Sequence, residues 1–460
     1  MFGKKQKLLS DASKTVHLVG IGGVSMSALA EAIAARGICV RGSDVNGNGV
    51  YVERLRSLGI TVFTGHNGEN VCGADVVIRT SAIHDDNPEI IKARELGVPV
   101  LERAEAWGIL MEEFSEVVCV SGTHGKTSTT AMVTCIALAG DRDPEVMIGA
   151  DMREIGGVIR LSDGDLFIAE ACEYCNSFLN FYPTVSVVLN VEEDHLDFFS
   201  GIDDIINSFA SFIGNTKRGG TIVVNGDDEN ALEAVRRAGR DAVTFGLSER
   251  CDITAKNLIY DENGFPSFEI CSKGEIICPV RLAVLGEHNV KNALAATAAA
   301  LSLGIEPEDI SKALSLFTGV GRRMEYKGDF HGARVYDDYA HHPSEIETTL
   351  RAVRRGHNGK ITCIFQPHTY TRTAALCDDF AKALAFADEV ILADIFAARE
   401  KNEIGIDSSA ISSKMTNARY ISGFDDIVKE LSQTVREGDF VLTMGAGDIY
   451  KVGERLCEKK

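Results

Sequence analysis

Apolar residues along this chain fall repeatedly into short runs, each followed by a glycine or polar cluster and then by a helix-like stretch. Val117-Val118-Cys119-Val120 is the clearest run, short and β-branched, and it reads as a buried strand. After its glycine turn, Ala131 to Leu138 reads as a helix. Thr15 to Val19 opens the same cycle, followed by a helix through Ala35 that Gly37 ends and a strand from Ile38 to Arg41. Further units include Leu55 to Val62, Ala74 to Ile78, Leu166 to Ala169, Val185 to Leu189 and Ile222 to Val224. A new series begins at Ala333, with strands at Lys360 to Phe365, Glu389 to Ala393 and Phe440 to Met444. Cys251 to Val284 differs: it alternates like a hairpin, with turns at Asn263-Gly264 and Lys273-Gly274. Strand and helix in alternation predict an α/β chain with mainly parallel sheets. The length of 460 residues suggests about three domains. The polar run at Glu112-Glu113 and the glycines and arginines at Gly319 to Arg323 predict boundaries giving 1–113, 114–323 and 324–460. The first and third read as Rossmann-like, the second as a P-loop-type domain.

The chemistry sits after the strands. Ser121-Gly122-Thr123-His124-Gly125-Lys126-Thr127-Ser128 joins a strand to a helix. That arrangement cradles phosphate, because glycines let backbone N–H groups approach the oxygens and the helix N-terminus adds partial positive charge. Lys126 is placed to reach terminal phosphates and Thr127 to ligate magnesium. The spacing is shorter than the standard P-loop, which has a glycine where this chain has Val120. Glu170 ends a neighbouring apolar strand and is a candidate metal ligand. Another strand ends in Asn190, followed by Glu192, Glu193, Asp194, His195 and Asp197. Magnesium prefers oxygen, so His195 could equally act as a base.

Gly20-Ile21-Gly22-Gly23 with Asp44 about twenty residues on resembles a dinucleotide fingerprint, with Ser25 in the third glycine position. This supports a nucleotide diphosphate or similar ligand more than a nicotinamide cofactor. Ser81, at the carboxyl end of a strand, stands where open α/β sheets bind ligands. His288, Asn289 and Asn292 share the first turn of an alanine-rich helix, where they could cap it or meet a nucleobase edge. Arg322-Arg323 reads as a phosphate-ready pair at a hinge. His341-His342 follows two aspartates at a strand end and reads as functional.

The net charge of −20 argues against wholesale nucleic-acid binding, so a phosphate site must be locally basic. The one basic start, Lys4-Lys5-Gln6-Lys7, is followed by no apolar signal core, and no stretch is long enough to span a membrane. The expectation is a cytoplasmic protein. Its 12 cysteines lie mostly in apolar elements and read as reduced core residues. Cys172 and Cys175 form a CxxC without the second pair a zinc site wants.

Gly22-Gly23, the loop through Lys126, Asn190 to His195, Gly286 to Asn292, Gly321-Arg322-Arg323, Asp337 to Pro343 and Gln366 to Arg372 occur in one order. Together they resemble the Mur ligase family over essentially the whole chain. His124 in the loop and the double histidine before Pro343 point to the branch that adds L-alanine. The resemblance implies a UDP-sugar domain, a central ATPase domain and a mobile amino-acid domain. It implies that ATP, magnesium, UDP-N-acetylmuramate and L-alanine react through an acyl phosphate, in cytoplasmic peptidoglycan precursor synthesis. Partners are then small molecules, with neither nucleic acid nor membrane. By the same resemblance Gly122, Thr123, His124, Gly125, Lys126, Thr127 and Ser128 bind phosphates, and Thr127, Glu170 and His195 hold magnesium. Lys126, Glu170 and His195 form the catalytic set. His288, Asn289 and Asn292 hold adenine, and Arg323 and Asp338 lie on the nucleotide. Gly22, Gly23, Asp44, Ser81 and Glu173 serve the UDP-sugar. Tyr339, His341, His368 and Arg372 form the alanine pocket. Three features depart from relatives: Thr369 stands where an arginine is common, Cys172 and Cys175 interrupt an acid-rich stretch, and 196–216 has no lysine of the kind sister ligases carbamylate. The alternative is a ligase attaching a recycled murein tripeptide to the same sugar nucleotide.

Overall fold

The computed structural model describes residues 8–196, 198–398 and 400–458; Lys4 to Lys7 and Asp197 lie outside the described residues. The chain forms two compact units. One runs to Thr254 and takes back Ser272–Glu275 and Ala293–Ile310; the other holds Ala255–Cys271, Ile276–Asn292 and the chain from Ser311 onward.

The first unit contains two sheets. Strands β1 (Thr15–Val19), β2 (Cys39–Asp44), β3 (Thr61–Thr64), β4 (Val76–Arg79) and β5 (Val100–Glu102) lie in the order β3-β2-β1-β4-β5, all parallel. The order reverses between β1 and β4, which is where such sheets open a crevice. Helices α1 (Val24–Ala35), α2 (Val50–Ser57), α3 (Pro88–Glu95) and α4 (Arg103–Met111) connect them. β2 runs three residues past its expected end because Gly42 and Ser43 keep pairing with Leu18 and Val19. The stretch from Leu55 to Val62 divides between α2 and β3.

The second sheet is built from β6 (Glu116–Ser121), β7 (Glu145–Met152), β8 (Gly157–Arg160), β9 (Leu166–Glu170), β10 (Val185–Val188), β11 (Thr221–Asn225) and β12 (Val243–Gly246). Its order is β12-β11-β10-β6-β9-β7-β8, parallel except for the β7–β8 pair. Helices α5 (Lys126–Ala139), α6 (Ile202–Gly214) and α7 (Glu229–Ala238) pack on it. β6 therefore lies between β9 and β10, with Ser121 opposite Val188 and Val120 opposite Glu170. One apolar core runs under both sheets: Trp107 of α4 meets Phe167 of β9 edge-on at 6.0 Å, and Phe114 meets the same ring at 5.1 Å.

β13 (Ile253–Tyr260) opens beside β12, and β14 (Pro266–Ser272) and β15 (Glu275–Arg281) continue from it. Their turns fall where expected, with Gly264 and Gly274 at φ of 84° and 91°. Helices α8 (Glu287–Ser302) and α9 (Pro307–Leu316) follow. The third sheet, in the second unit, comprises β16 (Glu325–Phe330), β17 (Ala333–Asp338), β18 (Ile361–Phe365), β19 (Glu389–Leu392), β20 (Ala418–Tyr420) and β21 (Phe440–Met444). It runs β16-β17-β21-β18-β19-β20, parallel apart from β16. Along β21, Phe440, Leu442 and Met444 enter one core and Val441 the other, the period of a strand covered on both faces. Helix α10 (Pro343–Gly356) buries Ile346, Leu350 and Val353 against the first of these.

The first sheet also carries a polar network that the apolar pattern does not reveal. Glu89 is fully buried and accepts hydrogen bonds from Ser43 Oγ at 2.5 Å, Asn70 Nδ2 at 2.6 Å and the Asn67 amide at 3.2 Å, with His17 Nε2 at 3.3 Å. Burial alone would push the Glu89 pKa up. The bonds from His17, Ser43 and Asn70 outweigh it and hold the carboxyl at about 2, against an ordinary 4.5. A carboxyl depressed in the folded state contributes stability above its unfolded pKa, lost as pH falls toward the folded one. Glu89→Gln should therefore cost about 3 kcal/mol at neutral pH. In denaturant titrations the gap from wild type should close between about pH 4.5 and pH 2.

Candidate functional site

The loop after β6 takes its shape from two glycines. Gly122 and Gly125 have φ of 143° and 84°, values that side chains with a Cβ rarely adopt, and Gly125 is the residue from which α5 starts. The β10 end clamps the loop. Asn190 Oδ1 accepts from the His124 amide at 2.7 Å, and its Nδ2 donates to the His124 carbonyl at 3.1 Å. The Thr123 amide donates to the Asn190 carbonyl, and Thr123 Oγ1 accepts from the Glu192 amide at 2.9 Å.

Lys126 is the first residue of α5, and its ammonium turns back over the loop. It donates to the carbonyls of Gly122 and Thr123 and to both carboxylate oxygens of Glu173, at 3.1 and 3.0 Å. Burial lowers the lysine pKa, but Glu173, Cys172 and Glu170 together raise it well above its ordinary value, so the ammonium stays charged. Thr127 Oγ1 donates to Glu170 Oε2 at 2.9 Å, and the Gly149 amide donates to the same oxygen at 3.0 Å. Of the expected metal set, Thr127 and Glu170 meet. His195 Nε2 lies 3.7 Å from Glu173 and 3.8 Å from Asp194, its ring 4.6 Å from that of Tyr174. Among the described residues no three of His, Cys, Asp and Glu gather as a metal group, Cys172 and Cys175 included. Glu173, grouped with the UDP-sugar residues from sequence, accepts from Lys126.

At the end of the first sheet, Asp44 closes the glycine turn: its oxygens accept from the Gly22 and Asn46 amides, both at 2.9 Å. Gly23 precedes α1 as its N-cap. Ser81 lines a cleft of about 370 Å³ with Arg79, His84, Arg103, Cys175 and Asn180. The cleft thus joins the carboxyl ends of β4 and β5 to the turn after β9.

The second unit holds the remaining candidates. In the first turn of α8, Asn289 Nδ2 donates to the Leu285 carbonyl at 2.8 Å and Asn292 Nδ2 to Asn289 Oδ1 at 3.1 Å. His288 is held at a pKa of about 4 by burial and then by Arg323, and its buried Nδ1 has no hydrogen-bond partner among the described residues. The expected arginine pair separates. Arg322, at φ 60°, is consumed by Asp337 at 3.0 Å and the carbonyls of Gly445 and Gly447. Arg323 instead lies 3.9 Å from Glu345 and 5.2 Å from the Tyr339 ring. Asp338 accepts from the Met324 and Ala340 amides, both at 2.8 Å, and burial raises its pKa to about 6.

The two adjacent histidines also separate. His342 is the N-cap residue of α10, its Nδ1 2.9 Å from Ser344 Oγ, while Glu345 reaches back to its amide. His341 Nδ1 lies 3.1 Å from the Tyr339 carbonyl, and its ring centre is 6.0 Å from that of His368. Burial, with the charge of Arg372, holds both imidazoles below their ordinary pKa. Thr369, at φ 63°, caps the short helix that carries Arg372.

Three family descriptions match this chain in succession: "Mur ligase family, catalytic domain" over residues 15–115, "Mur ligase middle domain" over 120–300 and "Mur ligase, glutamate ligase domain" over 322–447. A UDP-N-acetylmuramate–L-alanine ligase of Acetivibrio thermocellus is 44% identical over 97% of this chain and 96% of its own length. One of Clostridium acetobutylicum is also 44% identical, over 98% and 99%. This chain belongs to the Mur ligase family. The crystal structure of the UDP-N-acetylmuramate–alanine ligase of Thermotoga maritima superposes with a TM-score of 0.81, 31% identity and coverage of 96% and 98%. A murein peptide ligase of Psychrobacter arcticus shares the fold, with a TM-score of 0.71 at 24% identity.

In this Mur ligase, sequence reasoning picked out the loop but not what holds it. Asn190 was read as a strand end and as the start of a family motif, with no role in holding the loop. Its signal is topological: β10 neighbours β6, so the residue after β10 reaches the loop after β6. Asn190→Ala removes both clamping bonds to His124. With each worth about 1 kcal/mol, amide hydrogen exchange at His124 should speed up at least tenfold while β6 stays protected.

Proposed function

We propose that this chain joins L-alanine to the carboxylate of UDP-N-acetylmuramate, converting ATP to ADP and phosphate through an acyl phosphate. The observation that carries this is the 44% identity, over nearly the full length, to curated ligases of that activity. The geometry around Lys126 supports it. We take residues 1–113 to serve the UDP-sugar, 114–323 the ATP and 324–460 the amino acid, acting in the cytoplasm on peptidoglycan precursors. No helix among the described residues is long and apolar enough to cross a membrane.

A carboxylate resists attack by an amine, so it must first be activated. The muramoyl carboxylate oxygen attacks the terminal phosphorus and ADP leaves. The unprotonated amino group of alanine then attacks the acyl carbon, and phosphate leaves. The first step gathers negative charge, and catalysis of phosphoryl transfer is largely positioning and charge stabilisation. Lys126 supplies a fixed positive charge, and the loop from Gly122 to Ser128, with the N-terminus of α5, offers amides to the phosphates. Thr127 Oγ1 and Glu170 are hard oxygen donors 2.9 Å apart, a set that fits magnesium, which when bound would screen the phosphate charge. His288 Nδ1, buried with no partner among the described residues, fits a nucleobase, with Asn289, Asn292 and Arg323 beside it in our reading. For the amino acid we assign Tyr339, His341 and His368 to the pocket and Arg372 to the carboxylate. We assign Gly22, Gly23, Asp44 and Ser81 to the UDP-sugar.

Phosphate release from ATP and UDP-N-acetylmuramate should require L-alanine and should not respond to a murein tripeptide. Lys126→Ala should lower turnover by about a hundredfold or more; near-normal ligation in that variant would refute the loop assignment. His341→Ala should raise the KM for alanine about tenfold or more. His342→Ala should leave that KM within about twofold and cost about 1 kcal/mol in unfolding, as loss of a helix cap does.

A further inference from the structure

Glu173 has a position that the proposed reaction does not yet use. Its side chain is 3% exposed, and it lies on a turn that no regular element would make. Cys175 and Asn176 have φ of 53° and 55°, a costly conformation for two successive non-glycine residues. The turn is held by the Asn176 amide, which donates to the Glu173 carbonyl at 2.9 Å, and by the Asn176 side chain, which accepts from Ser208 Oγ. It brings the carboxylate back over Lys126. An ammonium has three protons, and here the acceptors are Gly122, Thr123 and Glu173. Lys126 therefore has no donor left for a phosphate until one of these bonds is given up. Glu173 is the movable partner, because the other two are carbonyls of the loop itself. Glu173 Oε1 also lies 3.7 Å from His195 Nε2, just beyond hydrogen-bond distance, so a small rotation would complete that bond.

We propose that Glu173 is a positioning residue for the nucleotide step: it parks the Lys126 ammonium, yields it to the arriving triphosphate and turns to His195. This rests on the reading of the loop as the ATP site. A metal-free triphosphate must displace Glu173 and then remain beside it, with like charges a few ångströms apart. A magnesium-bound nucleotide brings less net charge to the same place. Glu173 thus makes the site select the metal-bound nucleotide.

The test is calorimetric binding of a non-hydrolysable ATP analogue, with magnesium and with chelator, to wild type and to Glu173→Gln, Glu173→Asp, Glu192→Gln and Lys126→Ala. Glu173→Gln should bind the metal-free analogue about tenfold tighter or more, so that the ratio of affinities with and without magnesium shrinks. Its kcat should fall as His195 loses its partner. Glu173→Asp, which keeps the charge, should retain the magnesium dependence of wild type. Glu192 pairs with His124 at 3.4 Å rather than with Lys126, so Glu192→Gln should move metal-free affinity by less than about threefold. Unchanged metal-free affinity in Glu173→Gln, or an equal gain in Glu192→Gln, would overturn the inference while leaving the ATP site intact. If Lys126→Ala binds the magnesium-bound analogue as wild type does, the ATP-site reading fails and this inference with it.

Discussion

A charged ammonium in a nearly closed site must find its counter-charge in the protein or in a ligand. Lys126 finds it in Glu173 and two loop carbonyls, and most of the central sheet serves that arrangement. β6 delivers the loop, α5 fixes the lysine as its first residue, and the turn after β9 returns Glu173. Gly122 and Gly125 adopt backbone angles that keep the loop tight enough for its carbonyls to share the charge. Changing any of these would leave a buried charge short of partners.

Strand order explains why these pieces meet. Because β6 lies between β9 and β10, the segments leaving all three emerge side by side. One brings Glu170 and Glu173, another Asn190 to His195, and the middle one the loop itself. The third sheet uses the same rule independently. β17, β21 and β18 are neighbours, so Asp338 to His341, Gly445 to Asp448 and Gln366 to Arg372 leave adjacent strand ends. There too a charged group is held by backbone: Arg322 by the carbonyls of Gly445 and Gly447, Asp338 by the amides of Met324 and Ala340.

The strands and the loop were legible because their signals are local. Val117 to Val120 is a buried strand by composition, and glycine at 122 and 125 has few other uses before a lysine. What could not be read is pairing between groups far apart in the chain. Arg322 and Arg323 look alike in sequence, yet only the fold shows that Asp337 takes one and leaves the other. His341 and His342 are adjacent, and a helix starting at Pro343 gives them different partners. Glu89 lies in the first turn of α3, and β1 and β2 bring His17 and Ser43 onto it. Glu173 was set with the sugar by family resemblance, and the sequence gives no sign of its contact with Lys126. Two left-handed residues follow closely after it, and its carboxylate lies on the lysine.

In the proposed reaction ATP serves to activate a carboxylate. The direct measurement is isotope transfer from UDP-N-acetylmuramate labelled with oxygen-18 in its carboxylate, followed by mass analysis of the phosphate formed during ligation to L-alanine. An acyl phosphate requires one labelled oxygen in each phosphate released. Unlabelled phosphate from an actively ligating enzyme would contradict it.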